Sequence, residues 1–187
     1  MLSLLRDWRY RLTFAWYDLD KGKWAFVAIL ALPFALLPFL IYTVHQDYRR
    51  AAAERGRRAE LRCLAENVYY EARGEPLEGQ YAVAEVTMNR LRSRLFASTV
   101  CEVVHQKRYD APRRQYVAAF SWTELGPLPQ PRAAPWRQAL DVAMAVYDDQ
   151  YSPRVPNALY YHAIDVVPSW ASERRRIAQI GSHVFYR

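Results

Sequence analysis

Among the four histidines of this 187-residue chain no H-x-x-x-H or H-E-x-x-H spacing occurs, so no pair of zinc ligands is preorganised on one helix face. Only two cysteines are present, Cys63 and Cys101. They are compatible with one disulfide in an oxidising compartment or with two buried thiols in a reducing one. There is no internal repeat, and the length leaves room for one ordinary domain plus an appendage rather than two domains. Excess charge is nearly missing from the larger part of the chain. Residues 60–187 carry sixteen Lys/Arg against fourteen Asp/Glu, whereas residues 1–59 carry ten against five, so most of the +7 lies early. That distribution suits a membrane surface and argues against a nucleic-acid partner.

Charge is absent altogether from Trp24 to Val44, twenty-one residues reading WAFVAILALPFALLPFLIYTV. About 20 apolar residues span a bilayer core, and the run is read as a transmembrane helix. Trp24 and Tyr42 fall near its ends, where amphipathic rings favour the headgroup level, and Pro33 and Pro38 are tolerated inside it at the cost of a kink. Ala51 and Ala53 offer an A-x-A-like cleavage site, but the run exceeds the roughly 7 to 15 residues of a signal-peptide core, so an uncleaved anchor fits better. Basic residues lie on both sides of the run, and the positive-inside rule does not orient it.

The expected organisation is therefore an N-terminal segment over 1–23, a membrane span over 24–44, a polar stalk over 45–59 and a domain over 60–187. The first segment is a candidate interfacial amphipathic stretch; the stalk is Ala/Arg-rich and interrupted by Gly56. Within the domain, Leu61, Leu64, Ala65 and Val68 share one face of a helix that should end near Gly74 and Pro76, which puts Glu71 in its last turn. A second helix is predicted from Leu77 or Glu78 to Leu95, and a short third one after Ser98 as N-cap. Residues 107–135, rich in aromatics, Arg and Pro, read as a loop around a cleft. Helical spacing returns over 136–149, and ALYYHAI and SHVFYR read as strands of a small sheet.

The densest chemistry is Asn67-Val68-Tyr69-Tyr70-Glu71-Ala72-Arg73-Gly74-Glu75. A carboxylate among aromatics at a helix C-terminus has its charged form disfavoured twice, by apolar surroundings and by the helix dipole. Such a group is suited to deliver a proton to a departing glycosidic oxygen. The plain alternative is a solvated surface glutamate.

Residues 62–187 resemble the cell-wall hydrolase family typified by spore-cortex-lytic enzymes, whose catalytic domain is similar to lysozyme-type lytic transglycosylases. The resemblance runs through LAENVYYEARGEPLEGQYAVAEVTMNR at 64–90, VCEVVHQ at 100–106, FSW at 120–122, YYHA at 160–163, VPSW at 167–170 and IGSHVFYR at 180–187. It implies a mostly helical α+β, lysozyme-like domain with a small antiparallel sheet. It also implies Glu71 as acid/base, with Tyr70, Glu75, Phe120, Ser121, Trp122, His162 and His183 toward substrate and no cofactor. Glu75 is read as a carboxylate that fixes a turn, and Phe120 and Trp122 as a wall on which sugar rings stack. Ala119 stands where relatives often have Gln. Extra cysteines found in some relatives are missing, which favours pairing of Cys63 with Cys101.

The implied reaction is cleavage of the β-1,4 bond between N-acetylmuramic acid and N-acetylglucosamine in peptidoglycan. A hydrolase needs a second carboxylate about 5 to 10 Å away, for which Glu75, Glu124 and Asp165 are the candidates, whereas a lytic transglycosylase works with one. Because peptidoglycan lies outside, the domain is expected on the periplasmic side of a bacterial inner membrane, with a regulatory protein partner restraining it. Three rivals remain: a zinc peptidase using Glu71, His162 and His183, a thiol peptidase using Cys63, and a non-catalytic peptidoglycan-binding scaffold. The apolar helix face beside Leu64 argues that Cys63 is buried.

Overall fold

The structure, a computed structural model, describes residues 21–110 and 114–187. The N-terminal segment expected at the membrane interface lies almost wholly outside them. The chain divides into two compact units, Met1–Ala53 and Glu54–Arg187.

One helix, α1 (Lys21–Ala72), runs without a break through Pro33, Pro38 and Gly56. Its apolar stretch reaches a mean hydropathy of 2.3 with none of it buried, so it is long and apolar enough to cross a membrane. The residues expected as a stalk are helical, and their last turn belongs to the second unit. There Arg57 pairs with Asp148 at 2.6 Å and lies over the Tyr147 ring.

The second unit continues with α2 (Leu77–Ser93), α3 (Val100–His105), β1 (Lys107–Asp110), β2 (Gln115–Ala118), α4 (Ala133–Tyr147), β3 (Tyr160–Ala163), β4 (Arg176–Ile180) and β5 (His183–Tyr186). Short 3-10 turns cover Ser121–Glu124 and Ser169–Glu173. The fold is mostly helical with small antiparallel sheets, in agreement with the expected class. Two details differ. Thr99, not Ser98, caps α3, its hydroxyl accepting from the Glu102 N–H at 3.2 Å. The segment expected as loop contains the β1–β2 hairpin, with Lys107 opposite Ala118 and Asp110 opposite Gln115.

The core forms where the predicted apolar faces meet. Leu64, Ala65 and Val68 of α1 pack with Ala84 and Met88 of α2, Val100 and Val104 of α3, and Val142 and Val146 of α4. Cys63 of α1 and Cys101 of α3 are joined by a disulfide; Cys63 is half-buried rather than buried. The second sheet has the order β3-β5-β4. Its register sets Tyr161 opposite Phe185 and Ala163 opposite His183 on one face, and His162 opposite Val184 on the other.

Buried polar groups of α2 tie down the segment that leads into β3. Glu85, 1% exposed, accepts the Arg154 and Val155 N–H groups at 2.7 and 3.0 Å. Asn89 donates to the Val155 and Ala158 carbonyls, and Arg90 Nε donates to the Leu159 carbonyl at 2.8 Å. The start of β3 is thereby fixed against the middle of α2.

Candidate active site

Glu71 sits in the last turn of α1, where the chain must leave the helix ahead of Pro76. Tyr161 on β3 donates its hydroxyl to Glu71 Oε2 at 3.0 Å. Burial raises the Glu71 carboxyl above its ordinary range; the Tyr161 bond, the positive charge of Arg90 and the nearby Trp122 backbone N–H oppose this without cancelling it. The Tyr161 hydroxyl is pushed well above its usual value by burial and by Glu71, so it stays protonated and remains a donor. The result is a carboxyl raised above its ordinary range and oriented by the Tyr161 hydroxyl.

Glu75 has a different setting. Its Oε2 accepts the Ser182 N–H at 2.9 Å and its Oε1 accepts the Ser182 hydroxyl. Burial alone would raise this carboxyl, but the two Ser182 bonds and nearby His183 hold it below the ordinary range. Gly181 has φ +57°, and a Cβ there would lie 1.9 Å from Glu75 Oε2, so the β4–β5 turn requires glycine on two counts. Both oxygens of Glu75 are thus engaged in fastening the start of α2 to that turn.

The aromatic residues expected as a sugar-stacking wall are instead packed. Phe120 is 2% and Trp122 6% exposed. Trp122 Nε1 donates to Asn67 Oδ1 at 2.9 Å, and Asn67 donates in turn to Thr87 at 3.1 Å, a buried chain that locks the 3-10 turn onto α1 and α2. The indole is consumed as a support. Ser121 is exposed beside it. Tyr70 stacks on Trp122 with ring centres 4.9 Å apart and donates to the Pro129 carbonyl at 3.2 Å. It also lines a groove of about 500 Å³ with Arg62, Glu66, Pro129 and Trp136.

The two late histidines part company. His183 lies on the Tyr161 face of the sheet, its ring edge-on to Tyr161 at 5.1 Å and its Nδ1 3.8 Å from Glu75 Oε1, beyond hydrogen-bond reach. Burial depresses its basicity more than Glu75 restores it. His162 points to the opposite face. Its Nδ1 lies 2.9 Å from the Ala163 carbonyl and its Nε2 3.0 Å from the Tyr186 hydroxyl, among Trp170 and Tyr186. Among the described residues no three His, Cys, Asp or Glu side chains cluster as metal ligands. Of the other carboxylates considered, Glu124 accepts the Ala118 N–H at 3.0 Å and Asp165 is exposed in the segment after β3.

Tyr161 and Arg90 were not singled out from sequence. Each lies within a motif that was: Tyr161 in YYHA, Arg90 as the last residue of the 64–90 stretch. The available signal was an arginine on the apolar face of a helix, four residues past the buried Val86.

Comparison with known proteins bears on this arrangement. The family model described as cell wall hydrolase matches residues 74–186, which takes in Glu75, the 120–122 turn, Tyr161 and His183 and begins three residues after Glu71. A spore cortex-lytic enzyme of Oceanobacillus iheyensis is 38% identical over 129 residues, 67% of this chain and 41% of that protein. One of Bacillus subtilis is 35% identical over 127 residues, 67% of this chain and 37% of its own length. The chain thus spans about two fifths of the curated relatives it matches. The solved catalytic domain of the germination-specific lytic transglycosylase SleB from Bacillus anthracis superposes with a TM-score of 0.53 at 32% identity, covering 68% of this chain and 93% of that one. That of Bacillus cereus SleB gives 0.51 at 33%, covering 68% and 89%. By sequence along most of its second unit and by fold, this chain belongs to the cell wall hydrolase family.

Proposed function

We propose that this protein is a peptidoglycan glycosidase that cuts the β-1,4 bond between N-acetylmuramic acid and N-acetylglucosamine as a lytic transglycosylase, with Glu71 as its acid and base. The observation that carries this reading is the buried Glu71 carboxyl, held above its ordinary range and oriented by the Tyr161 hydroxyl. The Bacillus anthracis relative, a germination-specific lytic transglycosylase, supports the same reaction.

In the first step Glu71 gives its proton to the glycosidic oxygen as the bond to muramic C1 breaks. The carboxylate so formed then takes the proton of the muramic 6-hydroxyl while that oxygen bonds to C1. The product is a 1,6-anhydro sugar, and Glu71 is again protonated. One carboxyl suffices, which agrees with Glu75 having both oxygens occupied by Ser182. Tyr70, half-exposed, and Ser121, exposed, are assigned to contact substrate; Glu75, Phe120, Trp122 and His183 hold the acid in place. His162 is assigned to the far side of the sheet.

The apolar helix anchors the protein in the inner membrane as a single pass, with residues 60–187 on the periplasmic side where the substrate is, and a protein partner restrains it. The test is mass spectrometry of sacculi digested with the detergent-solubilised full chain and with its Glu71→Gln variant. Products ending in 1,6-anhydromuramic acid, lost in the variant, are expected. Reducing-end sugars would replace the lytic mechanism by hydrolysis; cut peptides with intact glycan, or an active variant, would overturn the assignment.

A further inference from the structure

Arg90 is a charge that the proposed reaction leaves unused. It lies on α2, only 7% exposed, with its guanidinium carbon 4.9 Å from the centre of the Phe120 ring and 5.2 Å from that of Phe96. Nε is held by the Leu159 carbonyl, two residues before Tyr161, whereas Nη1 has no hydrogen-bond partner among the described residues. A buried guanidinium with an unpaired nitrogen is costly, and most such groups are bonded throughout. No carboxylate forms an ion pair with it among the described residues, although isosteric apolar packing between two phenyl rings was available to that position.

The rings place it. Phe120 neighbours both Arg90 and Tyr161, its ring centre 4.9 Å from the guanidinium carbon and 6.3 Å from the Tyr161 ring centre, and Tyr161 is the residue whose hydroxyl meets Glu71. The ionisable groups that act on Arg90 are Tyr160 and Tyr161 from β3, Arg108 from β1 and Glu71 from α1. Those that act on Glu71 are Tyr161 and Arg90, together with the Trp122 N–H. Arg90 is the cation in the second set, and its charge favours the ionised form of Glu71.

We propose that Arg90 is a positioning residue for the acid/base cycle: its buried, rigidly held positive charge behind Phe120 and Tyr161 stabilises the Glu71 carboxylate in the interval between giving up its proton and regaining one. This rests on the assignment of Glu71 as acid/base. Burial alone favours the protonated carboxyl in both halves of the cycle and resists the first proton transfer. A fixed charge beneath the site lowers that resistance without touching the sugar. It does so without forming a salt bridge, which would hold Glu71 ionised and useless as an acid.

The test uses the full chain with Arg90→Met, which keeps volume and removes charge, and Arg90→Lys, which keeps charge and loses the Leu159 bond. The alkaline limb of the pH profile for anhydromuropeptide release should move upward in the Met variant and return toward the parent in the Lys variant, with kcat reduced about tenfold or more by Met and KM little changed. In parallel, the difference in Tm between each background and its Glu71→Gln derivative is followed against pH, which reports Glu71 ionisation without needing turnover. An upward displacement of that transition in the Met background supports the proposal. An unmoved transition and an unmoved limb overturn it, even if kcat falls. Retained cleavage by Glu71→Gln would instead sink the catalytic assignment while the Tm series still answers for Arg90; a Met variant that does not fold leaves the Lys variant, in which a displaced transition counts against a purely electrostatic role.

Discussion

Four residues separate Glu71 from Glu75, yet the end of one helix and the start of the next treat their carboxylates oppositely. At Glu71 burial outweighs the Tyr161 hydrogen bond and the charge of Arg90, and the carboxyl is held above its ordinary range. At Glu75 the two Ser182 donors and nearby His183 outweigh burial, and the proton is lost. The balance of burial against nearby donors and charge decides the outcome, not the residue type or its neighbours in sequence. The first carboxyl is free to act because the second has taken on the fastening.

The comparison breaks most sharply in activity. Glu71→Gln should lower glycan cleavage by at least about 10²-fold with the thermal midpoint retained or raised, whereas Glu75→Gln should lose activity only in proportion to lost fold, as read by sacculus digestion beside circular dichroism. Next in size, Gly181→Ala should cost about 3 kcal/mol in denaturant unfolding, since a side chain at φ +57° would meet Glu75 Oε2. A smaller effect is expected from Tyr161→Phe. It removes a donor from the ionised Glu71, so the alkaline limb of the rate profile should shift upward and kcat fall about tenfold, roughly the worth of one hydrogen bond to a charged group.

The smallest effect is a pair of opposite pH dependences. Glu71, with its folded pKa above the ordinary 4.5, adds stability at acidic pH that is lost as pH rises through the raised value. Glu75, with its folded pKa depressed, adds stability above 4.5 that is lost as pH falls through the lowered value. Differences in Tm between the parent and each Gln variant should therefore slope in opposite directions with pH, and parallel slopes would refute the contrast.

How much of this was visible beforehand follows the range of each interaction. The helix faces of Leu61, Leu64 and Val68, and of Ala84 and Met88, were legible because 3.6-residue periodicity is local. So was the position of Glu71 at a helix end. The β1–β2 hairpin was not, because its residues are mostly exposed and show no apolar alternation. Arg176–Ile180 hid for a similar reason, with a register shift between Arg176 and Ala178. Phe120 and Trp122 read as a wall open to sugar rings, whereas they are buried: Asn67 bonds the Trp122 indole and Arg90 packs over the Phe120 ring, from two other helices that no local pattern links to this turn. His162 and His183 looked equivalent in sequence, and only strand register sends one to the Tyr161 face and the other away.

The disulfide adds a consequence of its own. Cys63 and Cys101 enclose Glu71, Glu75 and Arg90 in one covalent ring with a separation of 38 residues. While the bridge is intact, unfolding cannot release these three residues into an open chain. By the chain-entropy argument closure of a ring of this size removes about 4 kcal/mol from the unfolded state. After local melting Glu71, Glu75 and Arg90 stay within one closed loop, and it is their partners Tyr161, Ser182 and Leu159, outside that loop, that have to be found again.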